Sequence, residues 1–241
     1  MATGSGTGTP AVPLSRSLQT LVDKVRWRIN NYEPPYLWSD AELVAYTNEI
    51  MKRFCFETRI LIETTDTSIC HLSLTEDTYD YAISDRIITV ESARLYDSDN
   101  EGYSLNRKSF GEMDASNPDW REDDSDQPTT IVTDFQHGYV SFWPKPDASY
   151  TCKMKVIRLH KTDFTSTNMS GQVLEIPDMY TSCIAEGVAA MALLKSGEST
   201  YDPKKSQIHE AVFRGKMHEA KLHVLRLNSH MTFNKPMKGN T

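Results

Sequence analysis

Two consecutive helical segments between Glu175 and Leu227 constrain the fold of this chain more than any other stretch. In the first segment, small residues separate larger apolar residues that recur at intervals of three and four: Tyr180, Ile184, Val188, Met191 and Leu194. This pattern predicts a helix that is apolar on nearly all sides, and such a helix is buried. The rest of the chain must therefore supply the elements that enclose it.

The second segment follows a break at residues 196–203 and is expected to form a long amphipathic helix from Lys204. Its predicted packing face consists of Ile208, Val212, Met217, Leu222 and Leu225. Basic residues occupy the other positions: Lys204, Lys205, Arg214, Lys216, Lys221 and Arg226. We therefore expect one face to pack against its own chain and the other to remain free and cationic.

Two further helices are predicted near the amino end. The first covers residues 15–30, with an apolar stripe that includes Leu21, Val25 and Ile29, and the Pro34-Pro35 pair ends it. The second starts at Ser39, because Ser39 and Glu42 have the spacing of a capping box, and reaches about residue 62.

The central part of the chain has a different pattern. Short β-branched and aromatic runs predict strands at residues 67–74, 79–83, 87–96, 130–135, 139–143 and 150–159. Between Asp97 and Pro128 lies a long acidic insertion rich in turn residues, and insertions of this size are usually functional or disordered. Six strands in one block indicate a small antiparallel sheet or sandwich flanked by helices from both chain ends. The predicted fold class is therefore α+β, a helical bundle built from both ends with an inserted antiparallel β domain.

These patterns suggest five segments. Residues 1–13 form a flexible Gly/Thr/Ser/Pro arm, 14–62 and 172–227 form the helical domain, 63–171 form the β domain with its acidic loop at 97–128, and 228–241 form a tail without periodicity. No run approaches the roughly 20 apolar residues that span a bilayer, so no membrane association is expected. The four cysteines lie far apart among apolar neighbours, as reduced core thiols do.

Charge is distributed unevenly along the chain. Residues 63–126 hold seventeen acidic and five basic residues, a balance of −12, whereas residues 204–238 hold eight basic and two acidic residues, a balance of +6. Both regions are compatible with solvated faces, and equally with subunits or partners that meet through opposite charge.

The sequence provides little evidence for chemistry. Asp97, Asp99, Glu101 and Gly102 match the start of a calcium-binding loop, but Lys108 stands where the bidentate carboxylate belongs. No nucleophile elbow or phosphate-binding glycine loop is present, and no two histidines of the last helix have the four-residue spacing that suits one metal. We therefore predict no catalytic residues, no cofactor and no metal, and a protein that is not an enzyme.

A resemblance to a known family runs from about Leu14 to Arg226. It rests on phrases that occur in a fixed order: residues 38–46 (WSDAELVAY), 86–88 with 90–93 (RII, VESA), 113–114 with 118–120 (MD, PDW), 143–147 (WPKPD) and 175–177 (EIP). This ordered set resembles the head-to-tail adaptor, or connector, proteins of tailed bacteriophages, which include the portal-bound, tail tubular protein A-like adaptors. The acidic insertion and the tail are where the chain departs from a firm correspondence.

The resemblance implies a structural virion protein of the phage neck, assembled in the host cytoplasm. About a dozen copies would form a ring under the portal protein, continue the DNA channel and meet a downstream tail or nozzle protein, with only non-specific proximity to the packaged DNA. The helical domain would dock on the portal, with the carboxyl-terminal segment embracing it. The hypothetical portal contacts are Arg226, Met231, Phe233, Lys235 and Met237, of which the apolar residues form anchors without a helical stripe.

Asp123, Asp124 and Asp126 are the hypothetical channel-facing or tail-facing residues, because an acidic lumen would repel DNA phosphates. The same charges would also serve if they merely kept unassembled subunits soluble. The alternative function is a soluble binding module acting alone, or an enzyme whose site is assembled from scattered residues.

Overall fold

A computed structural model describes residues 16–197 and 199–232, with side chains as far as residue 227, and in it the chain forms two compact units. Of the described residues, those up to Ile60 and those from Thr162 to Thr232 form the helical unit, and Leu61–Lys161 form the β unit. The fold is mixed α+β, as predicted, with six α-helices and nine strands in the described part of the chain.

The helices are α1 (Leu18–Arg28), α2 (Asp40–Thr58), α3 (Thr67–Cys70), α4 (Phe110–Ser116), α5 (Thr181–Ala192) and α6 (Pro203–Thr232). The strands are β1 (Ile62–Glu63), β2 (His71–Leu74), β3 (Asp80–Ala82), β4 (Ile87–Tyr96), β5 (Gly102–Ser104), β6 (Asn106–Lys108), β7 (Thr130–Val132), β8 (Tyr139–Trp143) and β9 (Tyr150–Arg158).

Helix α5 is the centre of the helical unit and contacts α1, α2 and α6. Its predicted burial is confirmed, since nine of its twelve residues are buried. A Cβ added at Gly187 would lie 2.8 Å from Cγ2 of Ile50 on α2 and 3.1 Å from Cδ2 of Phe213 on α6. A glycine at this position therefore allows α2 and α6 to approach α5 closely.

The predicted capping box starts α2. The backbone N–H of Ser39 donates to Oε2 of Glu42 at 2.8 Å, and the N–H of Glu42 donates to Oγ of Ser39 at 3.3 Å. Hydrogen bonds from Lys195 and Ser39 lower the pKa of the Glu42 carboxyl to about 2, so the cap stays ionised at neutral pH. The helix ends before Arg59, whose left-handed backbone (φ 54°) turns the chain away.

Helix α6 packs through a face that differs from the predicted one. The residues buried against the unit are Ser206, Phe213, Ala220 and Val224, whereas the predicted packing residues Ile208, Val212, Leu222 and Leu225 are exposed. Phe213 is fully buried, and Oγ of Ser206 donates to the carbonyl of Ala190 on α5 at 2.7 Å. The prediction was wrong because α6 carries apolar residues on two faces, and periodicity does not select which of them packs against α5.

The β unit contains two sheets with a mostly antiparallel pattern. In the five-stranded sheet the order is β1-β9-β4-β5 with β2 also pairing β9, and Leu95 lies opposite Cys152 in the long β4–β9 ladder. The four-stranded sheet has the order β3-β8-β7-β6, in which β6 and β7 are parallel. The connection from β7 to β8 passes through Gly138, which adopts a φ of 78°.

Two predictions for the β unit need correction. Residues 67–70, expected to begin a strand, form the short helix α3, because Oδ1 of Asp66 accepts the N–H of Ser68 at 3.0 Å and caps the helix. The insertion at 97–128 contains β5, β6 and α4, so it is not a structureless loop. Met113 and Trp120 from this segment are buried, and they pack with Val132 of β7.

The four cysteines are free thiols and are all buried, as predicted. Burial raises the pKa of the Cys152 and Cys183 thiols to about 12, so both remain protonated and act as small apolar groups.

Candidate partner-binding surfaces

The face of α6 turned away from α5 carries an apolar stripe in solvent. We call this face the outer stripe; its members are Ile208, Ala211, Gly215, Leu222 and Leu225. Ile208 is 64% exposed and Leu225 is 55% exposed, although they belong to a helix whose opposite face is well packed. The intervals of three, four and seven residues place these positions on one side of the helix.

The middle of the outer stripe is shallow. Ala211 and Gly215 lie between the larger residues Ile208 and Leu222, and a Cβ built on Gly215 meets no atom within 4 Å. Small residues at the centre of a helix face let another element approach the backbone closely. Exposed His218 lies on the same side, three residues after Gly215, so the recess is bordered by Ile208 at one end and by His218 and Leu222 at the other.

Basic residues border the outer stripe. The side chain of Arg214 is 67% exposed, that of Lys221 is 48% exposed, and Arg226 is also exposed. Arg214 donates from Nε to Oε1 of Glu210 at 2.6 Å, and Lys221 lies 3.6 Å from the carboxylate of Glu57. Because these ion pairs are solvated, the cations are available to a partner at little cost.

A second exposed apolar surface lies at the α1–α2 connection. We call it the aromatic patch; its members are Trp27, Tyr32, Tyr36 and Leu37, which are 65%, 46%, 49% and 45% exposed. The rings of Trp27 and Tyr32 stack with centroids 4.4 Å apart, and Tyr36 lies over the guanidinium of Arg26 at 3.8 Å. Aromatic residues held in this way are the commonest anchors of protein interfaces.

The aromatic patch is held in place by buried contacts beneath it. Nη2 of Arg26 lies 2.6 Å from Oδ1 of Asp40, and the indole N–H of Trp38 donates to the carbonyl of Ala192 on α5 at 2.9 Å. The side-chain oxygen of Asn31 accepts the N–H of Leu37 at 2.9 Å. The patch is thus preorganised, which lowers the entropic cost of binding a partner.

The aromatic patch was not predicted from the sequence, in which Pro34-Pro35 indicated only the end of a helix. The available signal was composition, because four aromatic residues occur between Trp27 and Trp38, in a segment that helical periodicity does not explain.

Glu186 fixes the arrangement of α1 and α6 on α5. Its carboxylate lies 3.1 Å from Nε of Arg28, 2.7 Å from Nδ1 of His209 and 3.7 Å from Nζ of Lys216. Burial alone would raise the pKa of Glu186, but the hydrogen bonds from His209 and Arg28 outweigh that effect and lower it. The ionised carboxylate therefore connects the helices that bear the two exposed surfaces.

The three acidic residues singled out from the sequence differ in their environments. Asp123 is half-buried, and its Oδ2 accepts the indole N–H of Trp143 and the amide N–H of Asn117, both at 2.7 Å. Asp124 and Asp126 are exposed, and Oδ1 of Asp126 accepts the N–H of Gln127 at 2.7 Å. Only Asp124 and Asp126 therefore present their charges fully to solvent.

A comparison with protein families identifies the chain. The model of the SU10 adaptor protein family matches residues 16–233, which is nearly the whole chain. This chain belongs to the SU10 adaptor protein family. The predicted resemblance to phage head–tail adaptors is thereby confirmed, and the family is one of structural phage proteins. A search of curated proteins found no match.

In this SU10 adaptor family member, two of the five predicted portal contacts, Arg226 and Met231, belong to α6. Arg226 is exposed, Met231 lies within the helix, and Phe233, Lys235 and Met237 lie outside the described residues. The structure therefore places Arg226 beside Leu225 of the outer stripe and gives no contacts for the others.

The described part of this adaptor family member contains no group of three or more His, Cys, Asp or Glu side chains arranged to hold a metal ion. Of the clustered histidines, His223 contacts the hydroxyl of Tyr180 through Nδ1 at 2.5 Å and His209 contacts Glu186. Among the described residues, no helix is both long and apolar enough to cross a membrane.

Proposed function

We propose that this protein is the ring adaptor of a phage neck, which joins the portal to the tail and continues the DNA channel between them. The observation that carries this proposal is the family match over residues 16–233, which spans both the helical unit and the β unit. The resemblance to head–tail adaptors implies about twelve copies in a closed ring, in which one heterologous interface is repeated around the axis. In this role the protein contributes geometry and contacts, and no catalysis.

The helical domain, built from both chain ends, is the portal-docking body of the proposal. Its helices α1, α2 and α6 all pack against α5, and α6 contacts α5 at Glu186 and Gly187. The rest of the unit therefore holds α6 in a fixed position. The carboxyl-terminal segment, with Arg226, Met231, Phe233, Lys235 and Met237, would supply cationic and apolar contacts to the portal. Such a mixture of anchors and charges suits an interface that must be both tight and correctly oriented.

The acidic segment of the β unit would face the channel or the tail protein. Exposed Asp124 and Asp126 belong to a region with a balance of −12, and carboxylates repel the DNA backbone. Repulsion allows the duplex to slide without the salt-dependent affinity that a basic channel would create. Replacing Asp124 and Asp126 by lysine should slow DNA passage or weaken attachment of the tail protein, whereas unchanged infectivity and tail attachment would refute this part.

The central experiment mixes the purified protein with the portal protein of the same phage. We expect closed rings of the adaptor on the portal in electron micrographs, together with a mass increase of about twelve adaptor copies per portal ring. If the adaptor remains unbound, or binds as scattered single copies, the proposed function is wrong.

A truncation tests the carboxyl-terminal contact. A chain that ends after Asn228 should keep the helical unit folded, because the described contacts of α6 with α5 involve residues up to Val224. It should fail to join the portal. A truncated protein that melts like the full chain and still forms portal-bound rings would refute the assignment of this segment.

A further inference from the structure

We propose that neighbouring copies meet by seating the outer stripe of α6 from one copy against the aromatic patch of the next. This inference rests on the proposed ring and assigns its subunit interface. The occupant of each surface is thus a second copy of this chain, through two different surfaces of the helical unit.

Helix α6 has apolar residues on two faces and packs only one of them against its own chain. Phe213, Ala220 and Val224 are buried in the helical unit, while Ile208, Leu222 and Leu225 remain in solvent. A helix that is apolar on opposite faces is typical of a buried element. The exposed face of α6 is therefore expected to be covered in the assembled protein.

The symmetry of a closed ring also favours contact between two different surfaces. A closed ring needs a heterologous interface, in which each copy presents two different and mutually complementary surfaces. The outer stripe lies on α6, and the aromatic patch lies at the end of α1 and on the connection to α2. Both α1 and α6 contact α5. Trp27 also lies on the side of α1 opposite the buried residues Leu18, Val22 and Val25. Each copy therefore carries both halves of such an interface.

The shapes of the outer stripe and the aromatic patch are complementary. The outer stripe is recessed at Ala211 and Gly215, where the space beside the helix is open. The aromatic patch presents flat rings, with Trp27 stacked on Tyr32. Flat rings fit a shallow recess bordered by Ile208, His218 and Leu222, and burying them supplies most of the energy of such interfaces.

The charged residues beside the two surfaces also favour this contact. Exposed Arg214, Lys221 and Arg226 border the outer stripe. The exposed carboxylate of Glu33 lies next to the aromatic patch in the sequence, whereas Asp40 is already paired with Arg26 and Lys195 donates to the carbonyl of Leu37. Glu33 is therefore the acid that can face the cations of the outer stripe. Opposite charges around two apolar surfaces set the register of the contact, and arginine also stacks favourably on tyrosine and tryptophan rings.

The test uses three variants of the full chain with the portal protein of the same phage. The patch variant carries Trp27→Ser and Tyr36→Ser, and the stripe variant carries Ile208→Asp and Leu222→Asp. The control is Met179→Asp, which changes an apolar residue of the helical unit that is 67% exposed and lies outside both surfaces. Because the altered residues are 38–67% exposed, the melting curves should stay close to that of the unaltered protein. A variant that melts early is replaced by the single substitution Trp27→Ser or Ile208→Asp.

We expect the unaltered protein and the control to form rings on the portal, and each interface variant to associate about a hundredfold more weakly, as for the loss of two interface anchors. Mixing the two variants at high concentration, without portal, provides the sharpest result. One intact patch and one intact stripe remain, so the mixture should form dimers that cannot grow, whereas each variant alone stays monomeric.

The outcomes distinguish this inference from the proposed function. Normal portal-bound rings from either interface variant would overturn the inference and leave the ring function standing. Mixed variants that stay monomeric at concentrations where the unaltered protein self-associates would also overturn it. If the unaltered protein forms no ring on the portal, the ring function fails and this interface fails with it.

Discussion

The Glu186 carboxylate of α5 accepts a hydrogen bond from Nδ1 of His209 on α6, at a distance of 2.7 Å. Arg28 of α1 contacts the other oxygen of the same carboxylate. One partly buried acid thus holds two helices that are distant in the sequence, and its removal leaves the Arg28 guanidinium and the His209 ring without their acceptor.

We therefore expect Glu186→Ala to lower the free energy of unfolding of the helical unit by about 2–4 kcal/mol, because partly buried donors lose their acceptor. Chemical denaturation followed by circular dichroism measures the change. Glu219→Ala is the matched control, since Glu219 is an exposed acid of α6 and its loss should change stability by at most about 0.5 kcal/mol. Equal effects of the two substitutions would contradict the role of Glu186.

The two faces of α6 should respond differently to truncation. Phe213→Ala should cost about 3–5 kcal/mol, because it removes a fully buried ring from the contact with α5. Leu222→Ala removes a side chain that is 38% exposed and should cost less than about 1 kcal/mol in the monomer. Thermal unfolding of both variants measures the difference, and the reverse order would restore the packing face predicted from the sequence.

Two glycines on neighbouring helices should give opposite results for the same change. Gly187→Ala places a methyl group 2.8 Å from Ile50 and should destabilise the helical unit by about 1–3 kcal/mol. Gly215→Ala places it in open space and should stabilise the monomer by about 0.5–1 kcal/mol through helix propensity. Denaturation midpoints for the two variants measure the effects, and a loss of stability at Gly215 would contradict its exposed position.

Glu63 should make the β unit sensitive to acid. Burial would raise its pKa, but hydrogen bonds from the backbone and hydroxyl of Thr65 and from Arg158 lower it from 4.5 to about 2. Because the folded pKa lies below the unfolded value, its contribution is fully present above about pH 4.5 and is lost as the pH falls towards 2.

Glu63→Gln should therefore destabilise the protein by about 2 kcal/mol at pH 7, and the difference from the unaltered protein should vanish near pH 2. Denaturation at pH 7, 4.5 and 3 measures the trend. Glu76→Gln, at an exposed acid of the same unit, provides the comparison and should show no such trend. A pH-independent difference for Glu63→Gln would refute the assignment.

Asp123 and Asp124 should differ although they are adjacent. Asp123→Ala deprives the indole N–H of Trp143 and the amide of Asn117 of their acceptor and should cost about 1–3 kcal/mol. Asp124→Ala alters an exposed side chain and should change stability by at most about 0.5 kcal/mol. Tryptophan fluorescence during denaturation measures both, and equal stability of the two variants would argue against a structural role for Asp123.

Patterns that depend on local chemistry were predictable from the sequence. The capping box at Ser39 and Glu42 and the burial of α5 both follow from side-chain type and spacing within a few residues. The short helix α3 was not, because four residues are too few to show a period, and only Asp66 marks its start.

The packing face of α6 depended on tertiary contacts. Periodicity identifies apolar positions, but it does not select between two apolar faces of the same helix. The selection comes from α5, where Gly187 admits Phe213 and the Ala190 carbonyl accepts the hydroxyl of Ser206. The aromatic patch escaped prediction for a similar reason, since its exposure depends on how Arg26 and Trp38 are held beneath it.

The contact between Arg28 and Glu186 joins residues that are 158 positions apart. During translation, α1 and α2 leave the ribosome long before α5 exists to cover their apolar stripes, whereas every strand of the Leu61–Lys161 unit has by then been made. The β unit therefore has its full set of partners first, and the nascent amino-terminal helices must wait, exposed to chaperones, until the last third of the chain emerges.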